Sequence, residues 1–334
     1  MRKRILWIDI LRIIGMISVI MIHVIGNTVN TLWLTGSART IFNIIDKILY
    51  FAIPMFVMIS GAMFLNRDVT YKKISKYCLK IFIAIILFGA TFSFIELFYI
   101  NKNISLEYIP QIIKKIICGD TWAHMWYLYL IFGLYLITPV LSKINNNLEK
   151  KDSIIFLIVM YIFTILLPEI AYFFKINIGF NIPLSSYIFI YFYGNYIINK
   201  SVSNKFKKFS YILGVITIIY VIYIAYNETY VLSLTYTSTP IILLSNFVIL
   251  LLKDREITKN NSVGHLIKSL GICSFGIYIL HQIFINIVFK FIKLDFILDY
   301  PYIGLFTYTL GILIVTYLIV FILRKIKLVR NYIL

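Results

Sequence analysis

Three ionisable side chains lie in the first apolar stretch of the chain: Asp9, Arg12 and His23. If this stretch is a helix, Arg12 and His23 are about 20° apart around its axis and about 16.5 Å apart along it. Asp9 precedes Arg12 by three residues, a spacing that permits an ion pair. A guanidinium binds phosphates and carbonyls, and an imidazole exchanges protons near neutral pH. The spacing therefore predicts a binding group and a proton-transfer group on one face of one helix.

The composition indicates that this helix lies in a membrane. Hydrophobic residues make up 61% of the 334 residues and charged residues only 14%, and the mean hydropathy is +0.90. Soluble domains are about 45–50% apolar and about 25% charged, so an ordinary soluble protein is excluded. A disordered chain is excluded too, because it needs low hydrophobicity.

The apolar runs predict an all-α polytopic membrane protein, one domain over residues 1–334, with about ten spans. Basic residues concentrate on the cytoplasmic side of membrane proteins. With the N-terminus inside, 23 of the 32 Lys and Arg residues fall in cytoplasmic segments and 8 on the other side. Both termini are thus expected in the cytoplasm, and the net charge of +18 requires no nucleic acid. The expected spans are 5–26, 41–64, 77–99, 124–142, 153–174, 182–199, 209–226, 237–252, 271–290 and 304–323.

A charged residue at the centre of a span costs about 2.5–3.5 kcal/mol, so such residues usually face the bundle interior or a watery cavity. Arg12 lies too deep to act only as an anchor at the helix end. His23 alone would suit an interhelical hydrogen bond, but the same face carries Arg12. Both residues are therefore candidates for function rather than for structure.

Other polar residues have a structural and a functional interpretation. His124, Trp126 and Tyr127 open the fourth span on the outer side, either as an interfacial aromatic belt or as an edge that binds sugar rings. Glu169 suits an interfacial carboxylate or an acceptor ligand. A third group is spaced so that its members share one helix face: Ser274, Tyr278 and His281. These residues could form hydrogen bonds between helices or could bind a ligand.

Four motifs in order resemble the acyltransferase 3 membrane proteins, which are multi-span bacterial enzymes that O-acylate cell-surface carbohydrates. The first is Ile8-Asp9-Ile10-Leu11-Arg12 with His23 after ten further residues, as in the first helix of that family. The others are Phe56-Val57-Met58-Ile59-Ser60-Gly61, then Trp122-Ala123-His124-Met125-Trp126-Tyr127-Leu128 continuing to Tyr135-Leu136-Ile137-Thr138-Pro139, and Ser274-Phe275-Gly276-Ile277-Tyr278-Ile279-Leu280-His281.

The resemblance implies transfer of an acyl group, most often acetyl, from a cytoplasmic acyl-CoA to a carbohydrate hydroxyl. It makes His23 and Arg12 the candidate catalytic residues, with His23 either a general base or an acyl carrier. Acyl-CoA would be bound by Arg12, Ser60, Lys72, Lys73 and Lys76, although the lysines also fit a simple topology signal. The supporting or acceptor-binding residues would be Asp9, His124, Trp126, Tyr127, Glu169, Ser274, Tyr278 and His281.

The resemblance also implies a bacterial plasma membrane, and acetyl-CoA as a substrate with no bound cofactor. Expected partners are the bilayer, the carbohydrate acceptor and either glycan-synthesis machinery or a second copy. No zinc-binding pattern is present, and Cys78, Cys118 and Cys273 are too scattered for a disulfide framework. Two other functions stay open: a transporter or flippase that uses the buried Arg and His as a path, and a structural subunit of a glycan-synthesis complex.

Overall fold

A computed structural model describes residues 5–179, 184–227, 234–253, 255, 262–292 and 295–334. Every regular element within these ranges is a helix. In chain order they are α1 (Leu6–Asn30), α2 (Gly36–Leu49), α3 (Ala52–Phe64), α4 (Tyr71–Asn101), α5 (Tyr108–Cys118), α6 (Trp126–Asn147), α7 (Lys150–Tyr161), α8 (Leu167–Phe174), α9 (Ser186–Asn199), α10 (Asn204–Asn227), α11 (Thr239–Leu252), α12 (Ser262–Asn286), α13 (Phe296–Asp299), α14 (Pro301–Leu323) and α15 (Lys327–Tyr332). A short 3₁₀ turn, Ala123–Met125, precedes α6, and π-helical turns follow α7 and α12.

The all-α polytopic class is confirmed. Eight helical segments among the described residues are long and apolar enough to cross a bilayer. Two of the ten expected spans correspond instead to α9 and α11, which have 14 residues each. At 1.5 Å per residue each is about 21 Å long, short of a hydrocarbon core of about 30 Å. Both contribute many buried side chains, so they lie inside the bundle.

The cytoplasmic orientation of the termini stays a prediction. The charge count on which it rests includes a few residues outside the described part of the chain, namely Arg2, Lys3, Arg4, Lys259 and Lys293.

Helices α3 and α9 make the closest helix contact around the site. A side chain at Gly61 would overlap the main-chain carbonyl of Tyr191, and one at Gly194 would overlap the backbone of Met58. Small residues permit such an approach in membranes, where close packing rather than hydrophobicity drives association. Asn199 Nδ2 also donates to the carbonyl oxygen of Ala62 at 2.6 Å. This contact fixes the part of α3 that carries Ser60.

Gly194→Ala is expected to prevent correct assembly of the bundle. The new methyl group would meet backbone atoms, which cannot rotate away. The free energy of unfolding should therefore fall by about 1–3 kcal/mol, the range typical of overpacking, or by more. Gly133→Ala is the matched control, because nothing lies within 4 Å of a Cβ there. Thermal unfolding in detergent should show a much lower melting temperature for Gly194→Ala and an almost unchanged one for Gly133→Ala. Equal melting temperatures would contradict the close α3–α9 contact.

Helix α1 is the central element of the candidate site. It packs against α2, α3, α12 and α14, and its buried residues include Asp9, Gly15 and Ser18. A helix surrounded in this way can hold polar side chains away from lipid, because its neighbours supply their partners. The polar face of α1 was expected to face the interior of the bundle. In the structure Asp9 is buried, whereas Arg12 and His23 are half-buried.

Candidate active site

The N-terminal half of α1 carries an ion pair. Arg12 Nη1 donates to Asp9 Oδ1 at 3.0 Å. The Asp9 side chain is 1% exposed and the Arg12 side chain 26% exposed. Helix α12 packs closely against Asp9, since a Cβ at Gly271 would lie 2.7 Å from its carboxylate carbon. The pair therefore fixes the direction of a guanidinium that is still partly open to a cavity.

Arg12 lines two adjoining cavities, of about 300 Å³ and about 230 Å³. We call their union the cationic cleft, because both are lined by the same aromatic and polar core: Arg12, Phe56, Ser60, Tyr77, Tyr127 and Tyr135. The side chain of Ser60 contacts those of Tyr127 and Tyr135. Ser274 also lines the larger cavity and donates to the carbonyl oxygen of Gly271 at 3.1 Å.

Two further cations line the cleft, and the sequence-based site did not include them. Arg67 lines the smaller cavity and Lys80 the larger one. The buried Nε of Arg67 has no hydrogen-bond partner among the described residues. With Arg12 these side chains make a concave site with three positive charges, which suits a phosphate-bearing ligand. A signal was available for Lys80, since it lies between Leu79 and Ile81 inside an apolar helix.

Three histidines from three separate elements meet further along α1. The ring of His23 is 5.3 Å from that of His281 and 6.2 Å from that of His124, measured between centroids. The rings of His124 and His281 are 5.1 Å apart. His124 and His281 are 1% and 0% exposed. This histidine cluster comprises His23, one of the two residues predicted as catalytic, and two of those predicted as supporting or acceptor-binding.

Aromatic side chains and backbone groups enclose the histidine cluster. Phe92 stacks on Trp122 with centroids 4.2 Å apart, and its ring lies 5.7 Å from His124. The hydroxyl of Tyr278 donates to the main-chain carbonyl of His124. Within the described ranges, no group of three or more His, Cys, Asp or Glu residues has an arrangement that could hold a metal ion.

Tyr127 and Tyr278 separate the cationic cleft from the histidine cluster. Both line the larger cavity, and their ring centroids are 5.5 Å apart. The Tyr278 ring is also 5.9 Å from those of His124 and His281. One end of the cleft therefore adjoins the cluster, while the other carries Arg67 in the loop between α3 and α4. Tyr127, expected on the acceptor side, lines the cleft instead.

Several predicted site residues lie away from this arrangement. Lys72, Lys73 and Lys76 are exposed and do not line the cleft, and Lys73 Nζ donates to the carbonyl oxygen of Asp68 at 3.1 Å. They lie in the first two turns of α4, and their part in donor binding stays a prediction.

Glu169 and Trp126 have structural contacts of their own. The two carboxylate oxygens of Glu169 accept hydrogen bonds from the main-chain nitrogen and the hydroxyl of Thr239, each at 2.6 Å. Glu169 thus satisfies the first turn of α11 and ties α8 to it. Trp126 stacks on Tyr236, with centroids 5.5 Å apart. An acceptor-binding role for either residue stays a prediction.

A comparison with protein families shows the family of the chain. The family model for the acyltransferase domain called acyltransferase 3 matches residues 5–325. The chain belongs to the acyltransferase 3 family. No significant match was found among curated proteins or among solved structures. The matched residues of this acyltransferase 3 protein include helices α1 to α14. They therefore include the cationic cleft and the histidine cluster. Membership supports membrane acyltransferase activity in general.

Gly271→Ala should weaken the site of this acyltransferase 3 protein without touching it directly. The added methyl group would collide with the Asp9 carboxylate and displace the partner of Arg12. We expect the predicted donor, acyl-CoA, to bind about tenfold more weakly, because a hydrogen bond between charged groups is worth about 1.5–3 kcal/mol. Gly311→Ala, where a Cβ meets nothing within 4 Å, is the control. Titration of the purified variants with acetyl-CoA measures the effect, and equal affinities would contradict the positioning role of Asp9.

Proposed function

We propose that this protein is an O-acyltransferase that moves an acyl group, most often acetyl, from cytoplasmic acyl-CoA to a hydroxyl of an envelope carbohydrate. The expected location is a bacterial plasma membrane. The observation that carries the proposal is the continuity of two sites of different chemistry. A cleft with three cations adjoins a cluster of three histidines, and Tyr278, which lines the cleft beside Tyr127, contacts two of those histidines.

The cationic cleft suits the donor. Acyl-CoA carries phosphates on its head and the reactive thioester at the end of a long pantetheine arm. Arg67, near the predicted cytoplasmic end, would bind a phosphate, and Arg12 and Lys80 would bind a second phosphate or a carbonyl of the arm. The aromatic walls would pack on the apolar part of the arm. This arrangement directs the thioester toward Tyr278 and the histidine cluster.

His23 is the proposed proton-transfer group. As a general base it takes the proton of the acceptor hydroxyl while the oxygen attacks the thioester carbonyl. A C–O bond forms, the C–S bond breaks, and the CoA thiolate recovers the proton from the imidazolium. As a carrier, His23 would first accept the acyl group itself and then pass it to the hydroxyl. Both routes end with the same ester and free CoA.

The proposal is tested by following CoA release and carbohydrate acylation together. Purified protein in lipid nanodiscs is mixed with acetyl-CoA, and the free thiol of CoA is measured with and without glycans extracted from the envelope of the source cells. We expect the glycans to accelerate thiol release and to acquire base-labile acetyl esters visible by mass spectrometry. Uptake of a solute into vesicles with no consumption of acetyl-CoA would instead support a transporter.

A further inference from the structure

The two buried histidines of the cluster are held by main-chain carbonyls through different ring nitrogens. His124 Nε2 lies 3.1 Å from the carbonyl oxygen of Ile279. His281 Nδ1 lies 2.6 Å from the carbonyl oxygen of Tyr278 and 3.3 Å from that of Ile277. A carbonyl oxygen only accepts, so the nitrogen that faces it must carry the hydrogen.

This requirement fixes the tautomer of each neutral ring. His124 is protonated at Nε2 and has a lone pair at Nδ1, whereas His281 is protonated at Nδ1 and has a lone pair at Nε2. Both lone-pair nitrogens are buried and have no hydrogen-bond partner among the described residues. A buried polar atom without a partner costs about 1–3 kcal/mol. The two rings have centroids 5.1 Å apart, and both lie next to His23. Each ring therefore offers a hydrogen-bond acceptor for which the described residues supply no donor.

We propose that His124 Nδ1 and His281 Nε2 bind the acceptor by accepting hydrogen bonds from two of its hydroxyl groups, while His23 serves the hydroxyl that is acylated. This inference rests on the proposed function and adds the atoms that bind the acceptor. The acceptor must present several hydroxyl donors on one rigid unit, as a sugar ring does, and a simple monoalcohol would leave one lone pair unfilled. His124 and His281 act in binding, and the carbonyls of Ile279 and Tyr278 keep their lone pairs available.

The test uses the different reach of asparagine and glutamine. The amide of asparagine takes the position of histidine Nδ1, and that of glutamine the position of Nε2. His124→Asn and His281→Gln therefore keep an acceptor at the lone-pair position. His124→Gln and His281→Asn keep only the hydrogen bond to the backbone. All four variants are similar in polarity and volume, so a general packing defect would not separate the two pairs.

Each variant is expressed in source cells that lack the gene, and acyl esters on the surface carbohydrate are measured by mass spectrometry and normalised to the amount of membrane protein. We expect His124→Asn and His281→Gln to retain acylation within about threefold of wild type. His124→Gln and His281→Asn should lose about tenfold or more, while purified samples still bind acetyl-CoA normally. Equal activity across the four variants, or the reverse order, would overturn the inference.

A second measurement does not depend on activity. Solid-state ¹⁵N NMR of histidine-labelled wild-type protein in lipid should show His124 protonated at Nε2 and His281 at Nδ1. The opposite tautomer in either ring would overturn the inference even if the enzyme is active. One equivalent of bound zinc that disappears in His124→Gln and His281→Asn would also overturn it, since a metal would then occupy the lone pairs. Wild-type cells without acylated carbohydrate would contradict the proposed function instead.

Discussion

Replacing His23 by glutamine is expected to lower acyl transfer by about 10²- to 10⁴-fold, the usual contribution of a positioned general base. Glutamine keeps a polar group of similar size at this half-buried position, but it cannot take a proton at neutral pH. Acetyl-CoA should bind as in the wild-type protein, because His23 does not line the cationic cleft. The measurement is CoA release and ester formation at saturating acetyl-CoA.

His265→Gln provides the matched control for that experiment. His265 is exposed near the start of α12 and lies outside the cationic cleft and the histidine cluster, so its replacement should change nothing. If His23 carries the acyl group, acid-quenched wild-type protein without acceptor should also contain a labile acyl adduct that His23→Gln lacks. Transfer by His23→Gln within tenfold of wild type would show that another group moves the proton.

Replacing Arg12 by glutamine is expected to raise the KM for acetyl-CoA by about 10- to 150-fold, with a smaller change in kcat. A hydrogen bond to a charged group is worth about 1.5–3 kcal/mol, which corresponds to this ratio of affinities. Arg12→Lys should show an intermediate KM, because an ammonium keeps the charge but loses the planar fork that binds two oxygens at once. Steady-state kinetics with acetyl-CoA as the varied substrate separate the three proteins.

The control for Arg12 must address folding, because Asp9 is fully buried beside it. Loss of Arg12 removes a hydrogen bond between charged groups from a buried carboxylate, which costs about 1.5–3 kcal/mol. The double variant Asp9→Asn, Arg12→Gln removes both charges and should recover part of the thermal stability that Arg12→Gln loses. It should not recover the affinity for acetyl-CoA. Recovery of both properties would mean that Arg12 only stabilises the bundle.

The fold could be predicted from the sequence largely because local composition determines membrane helices. Each expected span corresponds to one helix or to two consecutive helices, since long apolar runs form helices in lipid. The segments α9 and α11 were expected to span the bilayer, because a buried helix inside a bundle is as apolar as a spanning one. Residues 182 and 183 of the span expected at α9 lie outside the described residues. The placement of Arg12 and Asp9 followed from helical periodicity, which is also local.

The assembly of the site could not be predicted in the same way. His124 and His281 are separated from His23 by 101 and 258 residues in the sequence, and only the packing of α12 and the turn before α6 on α1 brings their rings together. Motif resemblance grouped them as supporting residues without a geometry. From the sequence, Glu169 could be either a ligand for the acceptor or an interfacial carboxylate. Its contacts with Thr239 at the start of α11 are visible only in the structure.

The most direct measurement uses sealed vesicles in which the protein has a single orientation. Labelled acetyl-CoA is supplied only on the predicted cytoplasmic side, where Arg67 begins the cleft, and extracted envelope glycans only on the opposite side. We expect labelled acetyl esters on the glycans, free CoA on the side of addition, and neither product with His23→Gln. Label that crosses the membrane while still attached to CoA, or transfer that persists in His23→Gln, would contradict a path from the cationic cleft to the histidine cluster.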